Sequence, residues 1–138
     1  MSALPAPQQS HICIVDDDQP ERNLLRFVLE SEGYSVAEAS SGQEALRLLR
    51  RSSHRFVVLL DLRMPVLSGT EVLRKVAAEP PLANRHTFIL ISAWPDRPPE
   101  LTTLLSELSI PVVSKPFDLE ELLAVIAQAT KRIETVPG

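Results

Sequence analysis

A single cysteine, Cys13, stands among 138 residues, so the chain cannot close an internal disulfide, which fits a reducing cytoplasm. Cys13 reads as a small buried apolar residue of its strand. No apolar stretch approaches the ~18 residues needed to cross a bilayer, so a soluble protein is expected. Residues Met1 to Ser10 lack both a basic start and a hydrophobic stretch and do not form a secretory signal. With Pro5, Pro7, Gln8 and Gln9 they read as a flexible lead-in. Positive charge is in deficit, with 14 Lys and Arg against 18 Asp and Glu, a net charge of −4 and a pI near 5.4. That balance leaves no basic footprint for nucleic acid or an anionic membrane, so any DNA-binding role is expected to belong to another chain or module. There is no glycine-rich phosphate cradle, which argues against nucleotide binding. His11, His54 and His86 show no metal-ligand spacing and read as structural or surface residues.

What is present describes one globular domain. The length lies within the ~100–200 residues usual for a single core, and 44% apolar with 23% charged residues is ordinary for a folded protein. Five short apolar runs rich in Val and Ile alternate with segments of helical spacing, the pattern of strand-helix units on a parallel sheet. Strands are predicted near residues 11–16, 34–39, 56–60, 87–91 and 111–114.

The first helix follows Asp18 and stops at Gly33, and the second opens on the capping pattern Ser41-Gly42-Gln43-Glu44. A third begins near Ser68 and is closed by Pro80-Pro81. A short fourth is expected over about 99–107, and a fifth over about 118–132. The domain should span 11–132, with 1–10 as lead-in and 133–138 as a tail or linker stub. Trp94, beside Pro95, reads as loop packing.

Chemistry-bearing residues follow the ends of these runs. Asp16, Asp17 and Asp18 follow the first, Asp61 the third, Ser92 the fourth and Lys115 the fifth. In a doubly wound sheet, ligands collect beyond the carboxyl ends of the strands, so the topology puts Asp16, Asp17, Asp61, Ser92 and Lys115 on one rim. Carboxylates crowded there repel one another unless a cation neutralises them. Magnesium, or manganese in its place, suits hard oxygen ligands. Asp17 and Asp61 would bind it directly, Asp16 through water, with a backbone carbonyl near Arg63 completing the set. An exposed aspartate can also attack phosphorus to form an acyl phosphate, with Lys115 and the Ser92 hydroxyl stabilising charge on the phosphoryl oxygens. Asp18 reads as a helix cap.

The segments Ile14-Val15-Asp16-Asp17-Asp18, Leu60-Asp61-Leu62-Arg63-Met64-Pro65 through Gly69, Ile91-Ser92-Ala93 and Lys115-Pro116-Phe117 resemble, in that order, the receiver domain of two-component response regulators. The likeness spans about residues 10–131. It implies a flavodoxin-like α/β fold in three layers, a doubly wound five-stranded parallel sheet of order 2-1-3-4-5 with five helices. It also implies phosphoryl transfer to Asp61 from a phosphohistidine on a sensor histidine kinase or phosphotransfer protein, and magnesium at Asp16, Asp17 and Asp61. Lys115 and Ser92 would contact the phosphoryl group, and a downstream protein target would read the result. Such a domain catalyses only its own phosphorylation and dephosphorylation and is not otherwise an enzyme. A cis Lys115-Pro116 bond is expected. Val112 stands where the family usually carries an aromatic switch residue, so output is expected to depend on the loop around Trp94 and the fourth helix. Monomer and homodimer are both open.

Two other classes fit parts of the pattern. Asp16-x-Asp18 imitates the acid pair of haloacid-dehalogenase-like phosphatases, although Gln19-Pro20 replaces the expected Gly-Thr and no length remains for a cap. A receiver-like interaction module that is never phosphorylated is the second, against which the intact acidic set stands.

Overall fold

The computed structural model describes residues 10–64, 66–93 and 98–135. Most of the expected lead-in, the loop residue Trp94 and the last residues of the expected tail lie outside them. Five strands, β1 His11–Val15, β2 Ser35–Ala39, β3 Phe56–Asp61, β4 Thr87–Ser92 and β5 Val112–Ser114, form one sheet of order β2-β1-β3-β4-β5 with every pair parallel. The helices are α1 Gln19–Ser31, α2 Gly42–Arg51, α3 Gly69–Ala78, α4 Pro80–Arg85, α5 Pro99–Glu107 and α6 Leu119–Thr135.

The central strands are buried on both faces, and their alternating side chains feed two separate cores. Ile12, Ile14, Val57, Leu59, Ile89 and Ile91 face Leu25 and Leu29 of α1 and Leu122 and Ile126 of α6. Cys13, Val15, Val58, Leu60 and Leu90 face the apolar stripes of α2, α3, α4 and α5. The result is three layers, as expected. Val57, Val58, Leu59 and Leu60 are at most 1% exposed, and each such burial contributes roughly 1.5–3 kcal/mol.

The helix count departs from expectation, because six helices rather than five occur among the described residues. Pro80-Pro81 does end α3 at Ala78, yet the same pair starts α4. Proline at the first helical positions lacks only an amide proton that would have no intrahelical partner, and its fixed φ already suits a helix. A stop signal for one helix is thus a start signal for the next.

Two helix ends show how local chemistry sets the chain's direction. After α1, Gly33 takes φ +94°, its N–H bonds to the Glu30 carbonyl at 3.0 Å and that of Tyr34 to Leu29 at 3.1 Å. This left-handed cap turns the chain straight into β2. After α5, the same arrangement recurs with Ser109 at φ 55° and the Ile110 N–H bonded to the Leu105 carbonyl at 2.9 Å. There the left-handed position is held by a residue with a side chain, at a steric cost.

Candidate functional site

Strand order fixes the site's location. The chain winds outward from β1 to β2, then back past β1 to β3, so the winding reverses between β1 and β3, and a crevice opens beyond their carboxyl ends. Val15 pairs with Leu60, so the next residues, Asp16 and Asp61, end neighbouring strands, which run ~4.8 Å apart in any sheet. Asp17 follows on the exposed side. Carboxylate oxygens of Asp16, Asp17 and Asp61 lie within 4.8 Å of one another.

The loop carrying Asp16 and Asp17 is fastened from both sides. The Asp16 N–H donates to the Ala39 carbonyl at 3.1 Å, and the Asp16 carbonyl accepts from Arg22 Nη1 at 2.7 Å while Arg22 Nε holds Glu38 at 3.0 Å. Asp16 Oδ1 accepts the Asp18 N–H at 2.9 Å. Asp18 caps α1 as expected, accepting from the Glu21 N–H at 3.4 Å.

Asp61 is fixed by its own loop. The Leu62 N–H bonds to the Ile91 carbonyl at 3.1 Å and the Gly69 N–H to the Leu62 carbonyl at 2.9 Å. A Cβ at position 69 would sit 2.8 Å from the Asp61 carbonyl oxygen and 2.9 Å from Leu62 Cα, so only glycine lets α3 start this close to the strand end. The Arg63 amide donates to the Asp61 carboxyl group.

Ser92 is buried at the end of β4, one residue beyond Ile91, the register partner of Asp61. Its carbonyl accepts the Lys115 N–H at 2.8 Å, which sets the start of the β5–α6 loop, and Lys115-Pro116 is cis, as expected. From there Lys115 Nζ reaches Asp61 Oδ1 at 3.7 Å.

Glu21 belongs to this constellation and was missed by the sequence reading. Its carboxylate lies 3.0 Å from Lys115 Nζ, nearer than Asp61, and it hydrogen-bonds the Asp16 carboxyl group. The signal was available in the spacing Asp18-x-x-Glu21. A glutamate three residues after a cap ordinarily reaches back to the cap's own N–H. Here Asp16 already holds that N–H, and Glu21 turns to the rim instead.

Electrostatics follow from crowding. Burial, above all, together with Glu21 and Asp61, pushes the Asp16 carboxyl up to about 7, against the opposing Asp18 amide. Asp61 is also raised, by burial first, although Lys115 and the Arg63 amide favour its charged form. Burial works against the Lys115 ammonium, but Glu21, Asp61 and Asp16 outweigh it and hold its proton affinity above the ordinary lysine value. Among the described residues three carboxylates, Glu21, Asp61 and Asp16, thus act on the Lys115 ammonium, and Asp17 adds a fourth negative charge beside Asp16 and Asp61. Hard oxygen donors with surplus negative charge, two of them buried, suit a small divalent cation better than any softer metal. The histidines lie at the opposite, amino end of the sheet and take no part. Among the described residues the rim therefore joins Asp16, Asp17, Asp61, Lys115 and Glu21, with Ser92 at the next strand end.

Comparisons with known proteins point to one family. The family model of the response regulator receiver domain matches residues 12–127. The uncharacterised transcriptional regulatory protein YkoG of Bacillus subtilis is 35% identical over 125 residues, 91% of this chain and 53% of that protein. The response regulator MprA of Mycolicibacterium vanbaalenii is 37% identical over 121 residues, 88% of this chain and 50% of its own length. The chain thus spans about half the length of these relatives. Among solved structures, the signal receiver domain of an HD domain-containing protein from Pseudomonas fluorescens superposes with a TM-score of 0.79 at 25% identity, covering 94% of this chain and all of that one. A CheY-like receiver domain protein from Methanospirillum hungatei gives 0.75 at 26% identity, covering 91% and 94% of the two chains. The chain belongs to the response regulator receiver domain family. Receiver domains are signalling modules of two-component systems, and membership places this chain in phosphorelay signalling. No helix among the described residues is long and apolar enough to cross a membrane.

Proposed function

We propose that the domain, residues 11–132, accepts a phosphoryl group on Asp61 from a phosphohistidine of a partner sensor histidine kinase or phosphotransfer protein. One observation carries the reading. Asp61 ends a buried strand with its carboxylate beside Asp16, Asp17 and the Lys115 ammonium, a crowding that has no purpose in stabilising the fold. An Asp61 carboxylate oxygen forms the new bond to phosphorus while the bond from phosphorus to the imidazole nitrogen breaks. The imidazole leaves with the electron pair and is reprotonated as required by solvent. Lys115 and the Ser92 hydroxyl meet the phosphoryl oxygens, where negative charge accumulates. Asp16, Asp17, Asp61 and the Arg63 carbonyl would hold magnesium or manganese. When bound, such an ion offsets carboxylate repulsion and draws charge from the phosphoryl oxygens.

A downstream protein reads the phosphorylated surface. Val112 is half-buried in β5 and has no ring to swing, so the loop around Trp94 and α5 carry the change. That helix is tied to α3 by Arg74 Nη2 and Glu100 Oε1 at 2.6 Å. Incubation with acetyl phosphate and magnesium, then intact mass and peptide mapping, tests the acceptor. Modification of Asp61, abolished by Asp61→Asn, is the expected result. Modification of Asp16 instead would favour the aspartate-nucleophile phosphatase.

A further inference from the structure

We infer that Glu21 is the resting counter-ion of Lys115 and competes with the Asp61 phosphoryl group for that ammonium, so that it sets how tightly the phosphorylated state is held. The inference rests on the acceptor reading of Asp61. Three observations carry it. Lys115 Nζ lies 3.0 Å from the Glu21 carboxylate but 3.7 Å from Asp61 Oδ1, so its hydrogen bond goes to Glu21 while the acceptor keeps only the longer ion-pair contact. Both side chains retain only 22% of their exposure, so water screens the pair less than it would a surface ion pair. The helix-cap N–H, the usual partner of a glutamate at this position, is already held by Asp16 Oδ1 at 2.9 Å, which leaves Glu21 turned toward the rim.

A lysine is a point charge on a flexible four-carbon stem, and it can exchange one oxyanion for another by rotating that stem. Before phosphoryl transfer, Glu21 keeps the ammonium from lying fully on Asp61. The acceptor carboxylate is thus left freer to bind a cation and to attack phosphorus. After transfer, the phosphoryl oxygens must draw Lys115 from Glu21, and the pair that is lost weakens the hold on the product. Glu21 touches no reacting atom in this scheme. It is a positioning residue acting through Lys115.

The test is calorimetric titration of the full chain with beryllofluoride, a phosphoryl mimic, at saturating magnesium. Wild type, Glu21→Gln, Lys115→Met and the double variant are compared, with Glu21→Ala in place of Glu21→Gln should the latter fail to fold. Removing a partly buried ion-pair partner should tighten beryllofluoride binding about 3- to 10-fold, and the gain should vanish in the Lys115→Met background. Equal or weaker binding by Glu21→Gln overturns the inference and leaves the acceptor reading standing. So does a gain that persists without Lys115, since that would reflect only the loss of one negative charge. Wild type that binds no beryllofluoride overturns both.

Discussion

The two ends of the sheet bury ionisable groups in opposite ways. At the carboxyl end, Asp16 and Asp61 are 4% and 9% exposed, share the Lys115 ammonium with Glu21, and are driven toward their protonated forms. At the amino end, His86 is equally buried but fully satisfied. Its Nδ1 accepts the Phe56 N–H at 3.0 Å, and its Nε2 donates to the Leu49 carbonyl at 3.1 Å. One neutral imidazole thereby joins α2, β3 and the residue before β4. Beside it, His11 and His54 stack with centroids 3.8 Å apart and Phe56 packs edge-on to His11. Burial with every donor and acceptor paired builds stability, whereas burial of like charges costs it and is kept where a ligand will later supply the missing charge. The carboxyl rim is poised for binding by this criterion and the amino rim is structural.

Substitutions should separate the rims by function and stability. The largest effect expected is loss of phosphoryl incorporation in Asp61→Asn, read by intact mass after acetyl phosphate treatment, with no loss of folding stability. His86→Ala should do the reverse, costing about 2–4 kcal/mol in urea unfolding while incorporation persists. The substitution leaves a cavity and strands the Phe56 amide and Leu49 carbonyl without partners. If His86→Ala were neutral, the satisfied rim would not be the stabilising one.

Acidity should also act oppositely at the two ends. Asp16 binds its proton more tightly when folded, at about 7 against an ordinary 3.8, so its contribution favours the fold in acid and is lost as pH rises through that interval. His86 binds its proton less tightly when folded, by burial first and then by the nearby Arg85 and Arg55 charges, although its bond to Leu49 favours the charged form. Its contribution is present above the ordinary 6.5 and is lost as pH falls below it. Asp16→Asn should therefore raise the stability of the metal-free protein by about 1–2 kcal/mol at pH 7.5 and by little at pH 4, measured by thermal unfolding. Magnesium should raise Tm more at pH 7.5 than at pH 5, because the ion binds ionised carboxylates that protonation removes. An equal shift at both values would mean that the ion binds elsewhere.

The smallest effect concerns the amino end alone. Ser109→Gly should stabilise the fold by about 0.5–1 kcal/mol in urea, since φ 55° costs a residue with a Cβ more than glycine's added unfolded-state freedom takes back.

Much of this was legible in the residues. Short apolar runs separated by helical stripes required a parallel sheet, because no other arrangement buries both faces of such strands. Asp16, Asp17, Asp61, Ser92 and Lys115 each follow a run, and that spacing put them at strand ends. The extra helix α4 was not legible because Pro80-Pro81 carries the same local chemistry whether it closes a helix or opens one. His86 gave no sign of its role, since its two partners lie 37 and 30 residues away along the chain.

The sequence by itself determined which residues lie at the carboxyl ends of the strands, because period and capping are local properties of the chain. Only the tertiary structure decided which charges meet. Lys115 and Glu21 are 94 residues apart, and their pairing follows from α1 starting at the rim that β5 also reaches, with the helix-cap amide already held by Asp16. Electrostatic energy depends on distances of a few ångströms, and those are fixed by packing rather than by order along the chain.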